Sequence, residues 1–234
     1  MRARRFIGAS VRPLNFTVRH RLDMPDLRPL ALFSALALGV TSASALDLSG
    51  YSVVKLHPGL NNLDRAFGGH PLSVVIGHRE NFNAHSFDVV TFYLWDRDAA
   101  KGLDIVGLWD KDKEALSLDV SGGADCLLHD FRLLWPNKGR TPLLVVADRP
   151  LLTTYVDNAP VTFKFYTLKQ NTVGDLGPAY WFDLAETQTS KAAYCDVGVA
   201  LSRELGLGDY RTTPRPEGYR NTPQAMSDNR TREP

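Results

Sequence analysis

Short apolar runs separated by turn residues recur between residues 46 and 201, and they constrain the fold more than any other feature. The runs are rich in aromatic and β-branched side chains, which suit a pleated sheet. No segment shows a strong apolar period of 3.6 residues. The predicted strands are 51–56, 72–76, 87–95, 104–109, 115–120, 126–135, 143–147, 152–156, 161–168, 180–185 and 195–201.

This pattern predicts an all-β fold, an antiparallel β-sandwich (or barrel) of about ten short strands with little helix. Residues 126–135 mix the periods of a helix and a strand, and we favour a strand there. Residues 57–71 hold several glycines and prolines and predict a loop with at most one helical turn. The pattern does not fix the order of the strands.

An export signal is predicted at the start of the chain. Residues 30–40 are apolar but too short to span a bilayer, and Ala43-Ser44-Ala45 follows as a cleavage site. Met24 is an alternative start that would give a leader of ordinary length. An uncleaved anchor is the competing interpretation. We therefore expect residues 1–45 to be a signal peptide that directs the protein to the periplasm, with no membrane attachment after cleavage.

Charge excludes nucleic acid as an expected partner. Residues 1–45 hold 7 of the 27 Lys and Arg residues and 2 of the 26 Asp and Glu residues, which leaves 20 and 24 in the remainder. A mildly acidic protein lacks the basic face that nucleic acid requires. We expect residues 46–208 to form a single β domain. Residues 209–234 hold four prolines and few apolar side chains, which predicts a disordered tail.

Two cysteines, Cys126 and Cys195, follow the predicted leader. An even number in an exported protein favours a disulfide between them. Two free thiols are the alternative, and the absence of a C-x-x-C spacing argues against a redox site.

The polar connector at residues 77–86 (GHRENFNAHS) is the best candidate for a functional site, since it separates two predicted strands. Its arginine matches the geometry of a carboxylate, and its histidines and asparagines offer further hydrogen bonds. An aromatic residue at the far end of the second strand could lie nearby. The predicted ligand-binding residues are His78, Arg79, Asn83, His85, Tyr93 and Trp95.

Catalysis and metal binding are weaker interpretations of the same connector. His78, His85 and Glu80 could bind zinc or exchange protons, but their spacing imposes no ligand geometry. We predict no metal, no cofactor and no catalytic residue. The alternative for Arg79 is an ion pair on the surface. The motifs G-x-S-x-G and H-E-x-x-H are absent from the sequence.

The sequence NFNAHSFDVVTFYLW at residues 81–95, preceded by VVIGHRE, resembles the CarG family of carbapenem intrinsic-resistance proteins. The resemblance covers about residues 56–201. It implies an exported, periplasmic protein that protects a cell from a carbapenem. It transfers no catalytic residue to this chain.

The favoured hypothesis is a carbapenem-tolerance protein that binds the drug or its target without hydrolysing it. Its expected partner is a small molecule, with β-lactams among the candidates, and its oligomeric state is not predicted. A hydrolase that uses a His/Glu pair or a metal is the second hypothesis. A structural or carbohydrate-binding module of the cell envelope is the third.

Overall fold

A computed structural model describes residues 46–95, 102–174 and 176–212, so the predicted leader and residues 213–234 lie outside the described residues. The described residues form eleven strands and one helix. In chain order these are β1 Tyr51–Val53, β2 Gly59–Phe67, β3 His70–Arg79, β4 Phe87–Trp95, β5 Leu103–Asp110, β6 Lys113–Ala115, β7 Leu118–Gly122, β8 Leu127–Pro136, β9 Leu143–Asp148, β10 Ala159–Gln170, β11 Tyr180–Tyr194 and α1 Val197–Leu205. The predicted all-β fold is confirmed.

The strands pair in the order β2-β3-β4-β7-β8-β9-β10-β11-β5-β6, with β1 beside β8. All pairs are antiparallel except β5 with β11. One edge of β4 is shared, because its residues 88–90 pair with β7 and its residues 92–95 pair with β5. The path of paired strands from β4 through β7, β8, β9, β10, β11 and β5 therefore closes on itself.

The main core lies between β3–β4 on one side and β8–β11 on the other. Phe92 of β4 meets Phe131 of β8 and Phe182 of β11, with ring centroids 6.2 and 5.2 Å apart. Helix α1 contacts β8, β9 and β11. Alternate residues of a strand point to opposite faces, so β8 presents Phe131 to the main core and its neighbours Asp130 and Arg132 to the other face. No helix within the described ranges is long and apolar enough to cross a membrane.

Helix α1 corrects the strand predicted at residues 195–201. Asp196 is its N-cap and accepts a hydrogen bond from the backbone N–H of Val199, and Gly206 ends it in the left-handed conformation at φ 68°. Val197, Ala200 and Leu201 are its buried residues, at the helical spacing i, i+3 and i+4. The run VGVAL is rich in β-branched residues, and this composition predicted the strand.

Two further predictions need correction. Strand β2 occupies most of the predicted loop at 57–71, because the amide of Asn61 bonds the carbonyls of His57, Gly59 and Val74 and satisfies an irregular strand start. Residues 152–156, predicted as a strand, lie in a loop. Buried Arg149 holds that loop by donating to the carbonyl of Tyr155 at 2.6 Å. The strand predicted at 126–135 is confirmed as β8.

Residues 209–212, at the start of the predicted tail, make backbone contacts with the domain. The N–H of Leu56 donates to the carbonyl of Tyr210 at 2.9 Å, and the N–H of Thr212 donates to the carbonyl of Leu56 at 3.1 Å. The side chain of Tyr210 is only 1% exposed. The polar, proline-containing composition of this segment predicted disorder, although Tyr210 within it is buried.

The substitution Tyr210→Ala should lower the free energy of unfolding by about 3–5 kcal/mol, since it empties a buried aromatic site. Urea denaturation measures the change. The matched control is Phe82→Ala, which removes an aromatic side chain that is 81% exposed and should change stability by about 0.5 kcal/mol or less. Equal effects of the two substitutions would show that residues 209–212 do not stabilise the domain.

Candidate functional site

The polar connector between β3 and β4 is organised by its own side chains. One oxygen of Glu80, Oε1, accepts hydrogen bonds from the N–H of Phe82 and the hydroxyl of Ser86, both at 2.6 Å. The bond from Ser86 is the main cause that lowers the pKa of Glu80. Asn81 donates to the carbonyl of His85 at 2.9 Å. Much of the polarity that marked this connector as a site therefore stabilises its turn.

The predicted residues His78 and Arg79 do not converge. His78 Nδ1 lies 2.8 Å from Asp88 Oδ1 on β4, and Nε2 lies 3.7 Å from Glu80 Oε2. Arg79 lies over the ring of Phe87, with its guanidinium carbon 5.5 Å from the ring centroid. Because they are neighbours on one strand, their side chains leave opposite faces of the sheet.

Tyr93 and Trp95 lie at the other end of β4. Phe87, which pairs with Arg79, and Trp95 are the first and last residues of this nine-residue strand. At about 3.3 Å per residue they are roughly 26 Å apart. The indole of Trp95 donates to the hydroxyl of Ser73 at 2.8 Å. The six predicted residues therefore do not surround one common hollow.

Asn83 and His85 lead from the connector to a second feature. Asn83 Oδ1 accepts a hydrogen bond from the N–H of His85 at 2.8 Å. The His85 ring stacks on Tyr155 with centroids 4.4 Å apart, and its Nδ1 lies 3.2 Å from the carbonyl oxygen of Gly122. The next residue in the chain, Gly123, lines a cleft.

This cleft lies among the start of α1, the start of β8 and residues 209–211, and it has a volume of about 410 Å³. Ligand pockets commonly measure roughly 300–1,000 Å³. Its polar lining residues are Asp125, Asp130, Arg132, Asp196, Ser202, Asp209 and Arg211.

Two tripeptides of the form Asp-aromatic-Arg build the floor and one wall of the cleft: Asp130-Phe131-Arg132 in β8 and residues 209–211 after α1. Arg132 Nη1 donates to Asp130 Oδ2 at 2.8 Å, and Arg211 Nη1 donates to Asp209 Oδ1 at 3.1 Å. The two units interlock, because Arg211 Nη2 lies 3.7 Å from Asp130 Oδ1. Asp130 and Arg132 are 1% and 2% exposed.

The charged side chains of this network differ in how deeply they are buried. One buried carboxylate, Asp130, lies against two guanidinium groups. Burial alone would lower the pKa of Arg211, but the nearby Asp130 carboxylate and other acidic groups raise it overall, so the side chain stays charged. Burial raises the pKa of Tyr210 far above its ordinary value and keeps its phenol neutral.

The disulfide fixes the opposite wall of the cleft. Cys126 and Cys195 are bonded, with Cα atoms 5.6 Å apart, which confirms the predicted bridge. Asp196 joins the same two segments, since Oδ2 accepts the N–H of Leu127 at 2.9 Å while Oδ1 caps α1 through Val199. The start of β8 and the start of α1 therefore form one crosslinked unit.

The sequence reasoning missed this cleft, although the sequence carried a signal for it. An acid and an arginine two positions apart on a strand point to the same face and can pair. That spacing occurs in D-F-R at 130–132 and again in D-Y-R at 209–211. The second copy lies in the segment predicted as a tail, far from the first in sequence.

Two other hydrogen-bonded pairs of ionisable side chains lie away from the cleft lining. His129 Nδ1 is 2.8 Å from Asp148 Oδ1, and Lys164 Nζ is 2.9 Å from Asp110 Oδ2. The hydrogen bond to Asp110 raises the pKa of Lys164. In the part of the chain that the structure describes, no group of three or more His, Cys, Asp or Glu side chains could hold a metal ion.

The closed, mostly antiparallel sheet with one covering helix defines the chain as an all-β protein with a polar cleft beside the helix. A crystal structure of CarG has a similar fold, with a TM-score of 0.55 and 24% sequence identity over 68% of this chain and 99% of that chain. This likeness supports the expected resemblance at the level of the fold. No protein-family model matches the chain, and no curated protein matches it.

Proposed function

We propose that this protein gives carbapenem tolerance outside the cytoplasm by binding the drug, or a part of its target, without hydrolysing it. The observation that carries the proposal is the fold shared with CarG, which extends over 99% of that chain. The apolar run and small-residue cleavage site before residue 46 favour export. The drug would occupy the cleft beside α1, whose volume suits a small molecule.

The cleft is better suited to binding than to proton transfer. Both oxygens of Asp130 already accept hydrogen bonds, Oδ1 from the N–H of Phe131 and Oδ2 from Arg132. Both oxygens of Asp196 accept backbone N–H groups. Carboxylates engaged in this way hold their donors in place, and each oxygen has already used one of its two lone pairs. A site of fixed donors favours holding a ligand over exchanging a proton with it.

Calorimetry with the purified mature chain and meropenem tests binding, and the loss of ring absorbance in the same mixture tests hydrolysis. We expect saturable heat at one site and no ring opening beyond a protein-free control. Catalytic ring opening would instead favour the hydrolase, for which the His78–Asp88 contact at 2.8 Å is the supporting geometry. Absence of both heat and turnover would reject the proposal for the drug itself.

The substitution Arg79→Ala should leave the affinity for meropenem unchanged, because Arg79 packs on Phe87 outside the cleft. Arg211→Gln should weaken binding by about tenfold, the cost of one charge-assisted hydrogen bond. Both affinities come from calorimetry, after circular dichroism has verified that each variant is folded. A loss confined to Arg79→Ala would return the site to the connector.

Tolerance itself is tested in a carbapenem-susceptible Gram-negative host. Expression of the full chain should raise the inhibitory concentration of the drug, and expression of residues 46–234 without the leader should not. Fractionation of the same cells should recover the full-length product, processed, from the periplasm. An unchanged inhibitory concentration with normal periplasmic protein would contradict the proposed tolerance and leave the envelope module as the better interpretation.

A further inference from the structure

We propose that the outward face of the sheet at strands β4, β5 and β11 binds a neutral, β-linked glycan. Tyr93 and Trp95 of β4, Trp109 of β5 and Trp181 of β11 form this surface, which we call the aromatic face. It is separate from the cleft beside α1 and contains none of the residues that line the cleft. The inference therefore goes beyond the proposed binding of a carbapenem and does not depend on it.

Two rows of paired side chains join β4 to β5 on the aromatic face. Tyr93 pairs with Ile105, and Trp95 pairs with Leu103. Direct partners in a sheet point to the same side, and so does every second residue along a strand. Trp95, Leu103 and Ile105 are 42%, 42% and 40% exposed, so these large side chains face solvent. Exposed apolar side chains that adjoin one another mark a surface for interaction.

The next two rows join β5 to β11 and extend the same face. Trp181 pairs with Gly107, and Asp183 pairs with Trp109. Positions 107 and 109 lie on the same side of β5 as its exposed residues, because the side alternates along a strand. Over the six steps from Leu103 to Trp109 the face is roughly 20 Å long, at about 3.3 Å per residue. It is therefore long enough for several sugar rings in a line.

Polar groups without partners lie at the β11 end of this face. Asp183 pairs with Trp109 of β5 on one side and with Thr167 of β10 on the other. Among the described residues, neither the buried indole N–H of Trp109 nor the buried hydroxyl of Thr167 makes a hydrogen bond. Buried polar groups of folded proteins nearly always have a partner. Two exceptions on either side of one carboxylate favour a hydrogen-bonding ligand at this place.

Carboxylates on the aromatic face favour a neutral ligand over an acidic one. Gly107 has no side chain, and Glu114 of β6 uses the space, since its Oε1 would lie 2.7 Å from a Cβ atom at position 107. Asp183 supplies a second carboxylate, and Lys169, which pairs with Trp181, brings one positive charge to the border. Two acids against one lysine repel an acidic polysaccharide and accept hydrogen bonds from neutral hydroxyls.

A neutral glycan matches both the aromatic and the polar groups of this face. β-Linked sugars with equatorial hydroxyls have apolar C–H faces, which can lie on indole rings, and polar edges. A hydroxyl both donates and accepts, so it can donate to Asp183 and accept from Trp109. A second copy of the chain is a poorer match, because it would bury the carboxylates of Glu114 and Asp183 at a cost in desolvation.

NMR titration of the unmodified protein tests the inference through its four tryptophans. With chitotetraose or cellotetraose we expect saturable shifts of the indole N–H signals of Trp95, Trp109 and Trp181. The signal of Trp135 is the internal control, since that ring lies on β8 beside Arg65 and should not shift. Substitution of each tryptophan by phenylalanine assigns the signals. No shift with either sugar, or equal shifts of all four signals, would overturn the inference.

The substitution Asp183→Asn tests the carboxylate, because it removes the charge and keeps the shape of the side chain. It should weaken binding of the sugar by about tenfold, since a hydroxyl loses a charged acceptor. Asp209→Asn is the matched control, because it makes the same change at the cleft and should leave the affinity for the sugar unchanged. Melting curves verify that both variants are folded. Equal affinity of the two variants would contradict the assigned site.

Charge selectivity is tested with cellotetraose and with the same tetramer oxidised to glucuronic acid at every ring. The oxidised tetramer should bind at least about tenfold more weakly at low salt, because Glu114 and Asp183 repel its carboxylates. Equal affinity for the two tetramers would overturn the choice of a neutral glycan.

Two further measurements separate glycan binding from dimerisation and from drug binding. Sedimentation that shows a dimer, converted to a monomer by Trp95→Ala, would assign the aromatic face to a second copy and overturn the inference. Saturating meropenem should leave the affinity for the sugar unchanged, because the cleft and the aromatic face are separate. Sugar binding without meropenem binding would support the inference while rejecting the drug as ligand, and the reverse result would reject only the glycan.

Discussion

Asp130→Asn should lower the free energy of unfolding by about 3–5 kcal/mol, because it removes the carboxylate between two guanidinium groups. Asp130 is 1% exposed and contacts Arg132 and Arg211. Its loss leaves the charge of Arg132 buried without an acid to offset it. Urea denaturation of the purified mature chain measures the effect.

Asp209→Asn is the matched control for this prediction. It makes the same chemical change in the second Asp-aromatic-Arg tripeptide, but the carboxylate of Asp209 is 46% exposed. An exposed ion pair contributes about 0–1 kcal/mol, so we expect a shift within that range. Equal destabilisation by the two substitutions would show that buried Asp130 contributes no more to the free energy of unfolding than exposed Asp209.

Removing the disulfide with Cys126→Ser and Cys195→Ser together should cost about 4 kcal/mol of stability, mainly by freeing the unfolded chain. The bonded cysteines are 69 positions apart, so the loop that they close is long. We further expect loss of cleft binding, because the bridge joins the start of β8 to the start of α1. Denaturation and calorimetry on the same preparation measure both effects.

Reduction of the unmodified protein provides the control for this variant. Dithiothreitol breaks the same bond without introducing new side chains, and the two samples should show the same midpoint of unfolding. A double variant that retains full stability would show that Asp196, which links Leu127 to α1, is sufficient to hold the two segments together.

Much of the fold followed from side-chain pattern. The β-branched and aromatic runs predicted most strands, and an even number of cysteines predicted the bridge. The loop predicted at residues 57–71 was wrong, because the amide of Asn61 hydrogen-bonds backbone carbonyls and supports strand β2 in this polar segment. At α1 the cap residue Asp196 was the missed signal. A valine-rich run looks like a strand until its N-cap is considered.

The candidate site followed from sequence much less well. Polar density predicted a site at residues 77–86, but Glu80 and Asn81 use that polarity to hold the turn. The cleft depends on residues 130–132, 196–198 and 209–211, which are distant in sequence and meet only when β8 receives α1 and the segment after it. Such meetings depend on tertiary contacts that local composition does not encode.

The forked edge of β4 has a consequence for how the protein is assembled. Its two halves hold β7 and β5, and β5 is joined to β11 through residues 181–183. A nascent polypeptide that stops before Tyr180 therefore presents two unsatisfied borders, one on β10 and one on β5. The sheet can close only when β11, the penultimate element of the described chain, pairs with both strands. This late pairing removes the unpaired strand edges through which two copies could associate.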